Sequence, residues 1–235
     1  IATFGFGLMR LDIRQESTRH VDALAAITKY LGLGDYGAWD EQQRQQFLLQ
    51  ELASPRPLLP LSALSTDVVS GFSDEVREVL ATFQLLATQP AEALGAYVIS
   101  MAHQPSDVLA VMVLQRKADS RHPLRVVPLF ETYDDLARAP SCLRSLLALP
   151  IYRECIGNHQ EIMIGYSDSA KDAGFLAAAW AQYQAQEELT AIAAEAGVNL
   201  VFFHGRGGSV SRGGAPTDQA LRSQPPGSVR GALRV

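Results

Sequence analysis

Several functional classes are excluded by what the sequence has little of. Only two of its 235 residues are cysteines, Cys142 and Cys155. With no second pair and no adjacent histidine cluster they frame neither a zinc site nor a disulfide scaffold, and they read as reduced thiols of a cytoplasmic protein. No run reaches the roughly 20 apolar residues that a membrane helix needs; the longest candidates, 93–106 and 173–186, are broken by polar residues. Positive charge is not in excess: 20 Lys and Arg stand against 25 Asp and Glu, a net −5. A nucleic-acid duplex demands a basic face, so general nucleic-acid binding is not expected. There is no repeat of fixed period and no low-complexity stretch. An initiator Met is also missing, and the chain opens on Ile1 in an apolar run, as expected of a segment that begins within a longer protein.

What is present is an ordinary globular balance, 47% apolar and 19% charged, enough for a sizeable core. Phe4 to Arg14 reads as a strand whose second half alternates Met9, Leu11 and Ile13 with Arg10, Asp12 and Arg14. A helix over Arg19 to Leu31 follows, closed by Gly32. Residues 33–95 then read as a helical insertion, with helices over Asp40 to Leu52 and from Ser73 onward, joined through the prolines of Ser54 to Pro60.

From Ala96 the rhythm changes to short apolar strands alternating with helices. Strands are expected at 97–101, 124–130, 161–166 and 199–203, with the start of another at 229–235. Helices are expected from Ser106 as cap through Arg116, over Asp134 to Leu149 with an interruption near Pro140, over the Ala-rich Lys171 to Ala196, and over Thr217 to Ser223. Nearly all-apolar strands separated by helices indicate a parallel sheet covered by helices. A doubly wound sheet and a barrel of eight units are the two choices, and with about six strands a barrel would be cut off before closure.

In such folds ligands bind beyond the carboxyl ends of the strands. Polar residues fall there four times: Arg14; Glu131; Asp168 with Lys171; and His204, Arg206 and Arg212. Singly, each has a plain structural explanation, with Asp168 or Ser169 as a helix cap and Glu131 as a solvated strand end. Together, Glu131 and Asp168 could share a hard cation such as Mg2+ or Mn2+, or act as a general acid and base. The tract Gly205-Arg-Gly-Gly-Ser-Val-Ser-Arg-Gly-Gly-Ala215 suits an anion. Its glycines let backbone N–H groups approach, and its guanidiniums form bidentate bonds. It is not a Walker A loop, since no Gly-Lys-Ser/Thr closes it, and Gly205 and Gly207 lack the third glycine of a dinucleotide fingerprint. A small, highly anionic substrate held against a metal fits this inventory, as does a non-catalytic anion-binding module.

Five motifs in order carry a family resemblance: Leu11-Asp-Ile-Arg-Gln-Glu-Ser-Thr-Arg-His20, Val127-Pro-Leu-Phe-Glu-Thr132, Met163-Ile-Gly-Tyr-Ser-Asp-Ser-Ala-Lys-Asp-Ala-Gly174, Phe203-His-Gly-Arg-Gly-Gly208 and Ser223-Gln-Pro-Pro-Gly-Ser-Val229. The chain resembles phosphoenolpyruvate carboxylase from end to end. The resemblance implies a (β/α)8 barrel of that type, here incomplete, with residues 1–235 as part of its catalytic domain. It also implies a lyase that fixes carbon dioxide in the cytoplasm, replenishes the tricarboxylic acid cycle and works as a homotetramer in its full-length form. Phosphoenolpyruvate and bicarbonate would give oxaloacetate and phosphate, by way of carboxyphosphate and an enolate whose charge a metal offsets.

By the same resemblance, Glu131 and Asp168 match metal ligands for Mg2+ or Mn2+. Arg14 and Arg206 match arginines that hold the substrate phosphate, with Gly205, Gly207 and Gly208 framing the loop. His204 and Arg212 match residues near carboxyphosphate, and Lys171 matches a lysine on the bicarbonate side. The chain departs from the family's pattern at Ser211, where a glycine is usual, and at Arg230, where Asn is common. The family's upstream histidine base and downstream basic residues are not in the sequence, so the isolated chain is expected to be inactive. Another metal-dependent enzyme acting on phosphoenolpyruvate is the remaining catalytic alternative.

Overall fold

The computed structural model describes residues 9–59, 71–205 and 217–235. Strands β1 (Leu11–Glu16), β2 (Leu94–Ser100), β3 (Arg125–Phe130), β4 (His159–Gly165) and β5 (Asn199–Gly205) form one sheet in chain order. The helices are α1 (Ser17–Tyr30), α2 (Glu41–Ala53), α3 (Asp74–Thr88), α4 (Pro105–Lys117), α5 (Tyr133–Leu147), α6 (Pro150–Ile156), α7 (Ser167–Ala173), α8 (Phe175–Glu195) and α9 (Thr217–Arg222). Strands and helices thus alternate as the sequence predicts. The chain divides into two compact units, Ile1–Ile99 with Ser106–Val126, and Ser100–Pro105 with Val127–Val235.

In the first unit, α1 buries Ala23, Leu24 and Ile27, and α3 buries Val76, Val79, Leu80 and Phe83. Apolar residues three and four apart make one face of each helix the core face. Asp40 and Gln43 close a reciprocal capping box at the start of α2, and Ser73 accepts from the Val76 N–H to start α3. Ser106, expected as a cap, lies instead inside the first turn of α4, where its N–H and hydroxyl both donate to the Glu41 carboxylate at 3.0 and 2.5 Å. Asp12 accepts the Ala96 N–H at 2.9 Å and occupies the space that a side chain at Gly95 would need. His20 is fully buried against Phe83 and Tyr97, with Nε2 2.8 Å from the Tyr97 hydroxyl. Burial, and then the charge of Arg19, lower its pKa to about 4.

In the second unit, Thr132 and Asp135 form the capping box that starts α5. Pro140 does not interrupt this helix. Leu136, Ala139, Pro140, Leu143 and Leu147 form one buried stripe, and tertiary packing outweighs the backbone bond that proline cannot make. The Ala-rich run after β4 is two helices rather than one, because Gly174 takes φ 82 between α7 and α8. The helix α7 starts after Tyr166, so neither Asp168 nor Ser169 is its cap.

β3 and β5 both lie parallel to β4, in the register Phe130↔Ile164 and Ile164↔His204, with Gly165↔Gly205 one step on. In place of a sixth strand at 229–235 there is a single parallel bridge, Phe203↔Arg234. The Arg234 carbonyl accepts the His204 N–H at 2.7 Å, and its guanidinium pairs with Glu161 and covers the Phe203 ring.

Candidate active site

The carboxyl ends of β3, β4 and β5 gather the polar residues of the second unit. Glu131 follows β3 directly and is 8% exposed. Its backbone is hemmed in by Gly165, where a Cβ would fall 2.5 Å from the Glu131 Cβ and 2.8 Å from its Cα. Only glycine fits there, because carbon atoms meet no closer than about 3.5 Å without strain. The N–H groups after Glu131 are also held, that of Thr132 by Asp135 at 3.0 Å and that of Tyr133 by Asp172 at 3.3 Å. Asp135 is itself buried, and its carboxylate takes a 2.7 Å bond from His103. Burial pushes its carboxyl up, but the Thr132 backbone and hydroxyl together with His103 outweigh that and hold it below the usual carboxylate range.

Three residues beyond Gly165 in the chain, Asp168 takes the second position of α7. Lys171 lies on the last turn of the same short helix and is exposed. The loop that carries them is stitched from behind. Ser169 donates to the carbonyls of Gly165 and Tyr166, and Gln182 of α8 donates to Ser169 and to the Gly165 carbonyl.

His204 was expected beyond its strand but lies within β5, together with Gly205. Alternation puts it on the buried side with Leu200 and Phe202, and it is 2% exposed. Its Nδ1 lies 2.7 Å from the Tyr166 hydroxyl. A Cβ at Gly205 would stand 3.0 Å from the Ile164 carbonyl oxygen and 3.0 Å from the end of Met163, so this position is also nearly closed to a side chain.

Arg14 does not follow a strand as expected. It lies within β1 in the first unit and is exposed. Arg206, Gly207, Gly208, Ser211 and Arg212 lie outside the described residues. Arg230 is exposed, and its Nε donates to the Gly227 carbonyl at 3.2 Å across a turn. The structure therefore brings Glu131, Lys171, His204, Gly205 and the backbone of Asp168 to one end of one parallel sheet. Sequence reasoning assigned no role to Gly165, Tyr166, Asp135 or Gln182. For Gly165 the signal was present, as a glycine ending an apolar strand beside a strand that ends in a carboxylate.

Among the described residues, no cluster of three or more His, Cys, Asp or Glu is placed to hold a metal. A pair of carboxylates suffices for Mg2+ or Mn2+, which keep waters and substrate oxygens in their remaining positions. Hard oxygen donors and a backbone fixed at Glu131 fit such an ion. Among the described residues no helix is long and apolar enough to cross a membrane.

Fold and strand-end chemistry together define a parallel α/β domain of the class that binds ligands at the carboxyl edge of its sheet. The whole chain, residues 1–235, matches the family model described as phosphoenolpyruvate carboxylase. The phosphoenolpyruvate carboxylase of Alcanivorax borkumensis is 62% identical over 232 residues, which are 99% of this chain and 26% of that protein. Those of Acinetobacter baumannii and Shewanella sediminis are 60% identical over 232 residues and 57% over 235, covering 99% and 100% of this chain and 26% of each relative. The chain belongs to the phosphoenolpyruvate carboxylase family, and it spans about a quarter of the length of these curated relatives.

Proposed function

We propose that the full-length protein containing this chain carboxylates phosphoenolpyruvate with bicarbonate to oxaloacetate and phosphate, and that residues 1–235 contribute part of a (β/α)8 barrel and much of its active site. The observation that carries this reading is the row across the sheet ends, where Glu131 is pressed against Gly165 and Gly165 is in register with Gly205. Along that row the Glu131 carboxylate follows β3 next to the end of β4, the strand that passes into the helix bearing Asp168, and one strand further on β5 leads into the glycine tract. Glu131 and Asp168 hold Mg2+ or Mn2+, which when bound offsets negative charge developing on the substrate's enolate oxygen.

Arg14 and Arg206 bind the phosphate, with Gly205, Gly207 and Gly208 giving backbone N–H groups access to it. Bicarbonate oxygen attacks phosphorus, and the bond from phosphorus to the enol oxygen breaks. Carboxyphosphate then releases CO2 and phosphate, and the enolate carbon takes the CO2. His204 and Arg212 supply donors to carboxyphosphate, and Lys171 attracts bicarbonate. The reading extends to a cytoplasmic homotetramer.

The test is Asp168→Asn and Glu131→Gln in the full-length protein. Bicarbonate-dependent oxaloacetate formation should be present in the parent and fall at least about 10²-fold in each variant. A parent without turnover points to an anion-binding module, and turnover independent of bicarbonate points to a different phosphoenolpyruvate enzyme. The isolated 235-residue chain is expected to be inactive, since an open sheet edge and a partial residue set leave the site incomplete.

A further inference from the structure

We propose that Tyr166 is a positioning residue for His204, fixing the imidazole in the tautomer that carries its proton on Nε2. The inference rests on the carboxylase reading of the site. Tyr166 stands where β4 passes into α7, two residues before Asp168, and its hydroxyl is 2.7 Å from His204 Nδ1. The two rings are tilted by 39° with centroids 6.0 Å apart, and Phe202 flanks the imidazole on the same strand at 6.2 Å. A buried imidazole packed between aromatic rings cannot exchange tautomers through bulk water, so the group at Nδ1 decides which nitrogen carries the proton.

A phenol is a much stronger acid than a neutral imidazole N–H, and the better bond has the Tyr166 hydroxyl donating to Nδ1. The proton of His204 is then on Nε2, which becomes a donor suited to an anionic oxygen rather than a base. That is the form a site for a phosphate or a carboxyphosphate requires.

Tyr166 is itself held firmly enough to impose this. Its carbonyl and that of Gly165 accept from Ser169, and Gln182, 6% exposed on α8, donates to Ser169 at 2.8 Å and to the Gly165 carbonyl at 3.2 Å. The order of support runs from Gln182 through Ser169 and Tyr166 to His204. On β5 the His204 N–H is fixed separately by the Arg234 carbonyl at 2.7 Å, so the backbone stays in place when the hydroxyl is removed.

The experiment is a double-mutant cycle in the full-length enzyme with Tyr166→Phe, His204→Gln and the pair. Phenylalanine keeps the ring contacts and removes only the hydroxyl. Tyr166→Phe should lower kcat/KM for bicarbonate about tenfold, the scale of one hydrogen bond, and leave Mn2+ binding, read by electron paramagnetic resonance without substrate, within about twofold of the parent. In the His204→Gln background the same change should cost nothing further. Independent, multiplying losses overturn the proposal, as does a Tyr166→Phe enzyme with the parent's kcat/KM. A tenfold weaker Mn2+ site overturns it too, because Tyr166 would then act through Asp168. If the parent shows no bicarbonate-dependent turnover, the carboxylase reading fails before the cycle begins.

Discussion

Substituting Gly165 by alanine probes Glu131 without touching it. The added Cβ would lie 2.5 Å from the Glu131 Cβ and 2.8 Å from its Cα, against the roughly 3.5–4.0 Å at which carbon atoms rest. Relief requires the two strand ends to part by about 1 Å, and neither contact is the far end of a flexible side chain that could swing away. A displacement of that size at a group that orients reactants costs about 10²-fold in rate, and the overpacking itself costs about 1–3 kcal/mol of stability. We therefore expect Gly165→Ala in the full-length enzyme to lower kcat about 10²-fold and to weaken Mn2+ binding, measured separately by electron paramagnetic resonance.

Two other glycines calibrate this effect. Gly205→Ala meets atoms at 3.0 Å and should be milder, while Gly157→Ala, with φ 53 and no atom within 4 Å, should affect stability alone. A Gly165→Ala enzyme with turnover and Mn2+ affinity within about twofold of the parent would refute the idea that this contact fixes Glu131.

Two further expectations concern the first unit. His20 has its pKa lowered from 6.5 to about 4, so between these values the unfolded state binds the extra proton. Stability is therefore full above pH 6.5 and declines as pH falls to 4, by about 3 kcal/mol at most. Hydrogen exchange of α1 and β2 peptides, corrected for intrinsic rates, should show that decline in the full-length protein and lack it in His20→Gln; equal decline in both refutes the assignment. The second concerns Lys117, whose buried ammonium bonds the Ser54 and Arg56 carbonyls and pairs with buried Glu51 at 3.0 Å. Lys117→Met leaves the Glu51 carboxylate buried with one partner fewer and should cost about 3–5 kcal/mol, read as a fall in the thermal midpoint of inactivation. A midpoint unchanged within a degree counts against it.

Much of this architecture was legible in the sequence. Apolar runs of five to seven residues between helical patterns gave the parallel sheet, and Asp40 and Ser73 announced their helices by their own cap chemistry. What was not legible depended on burial, on backbone torsion or on a partner far away in the chain. Pro140 looks like an interruption until Leu136 and Leu143 are seen buried on either side of it in one stripe. Gly174 is hidden in an Ala-rich run because only its φ of 82 separates α7 from α8. Ser106 has the right chemistry for a cap, but Glu41, in another helix, engages it first.

The site divides in the same way. The residue types at strand ends pointed to Glu131, Asp168 and His204, whereas Tyr166 beside His204, and Ser169 and Gln182 behind the turn, could be found only in three dimensions. His204 is the instructive case: the alternation Leu200, Phe202, His204 already implied a buried ring within the strand, and reading the strand as ending at Phe203 concealed it.

The hydrogen bond from the His204 N–H to the Arg234 carbonyl joins the fate of two segments. Whenever Gly231–Val235 peels from β5, that amide is released to solvent together with the Glu161 carboxylate that Arg234 covers. Local melting of a few residues outside any named strand is thus linked to disorder at the imidazole, and anything that clamps the segment also narrows the range of positions that imidazole samples. In this fold the precision of His204 is borrowed from residues some thirty positions downstream.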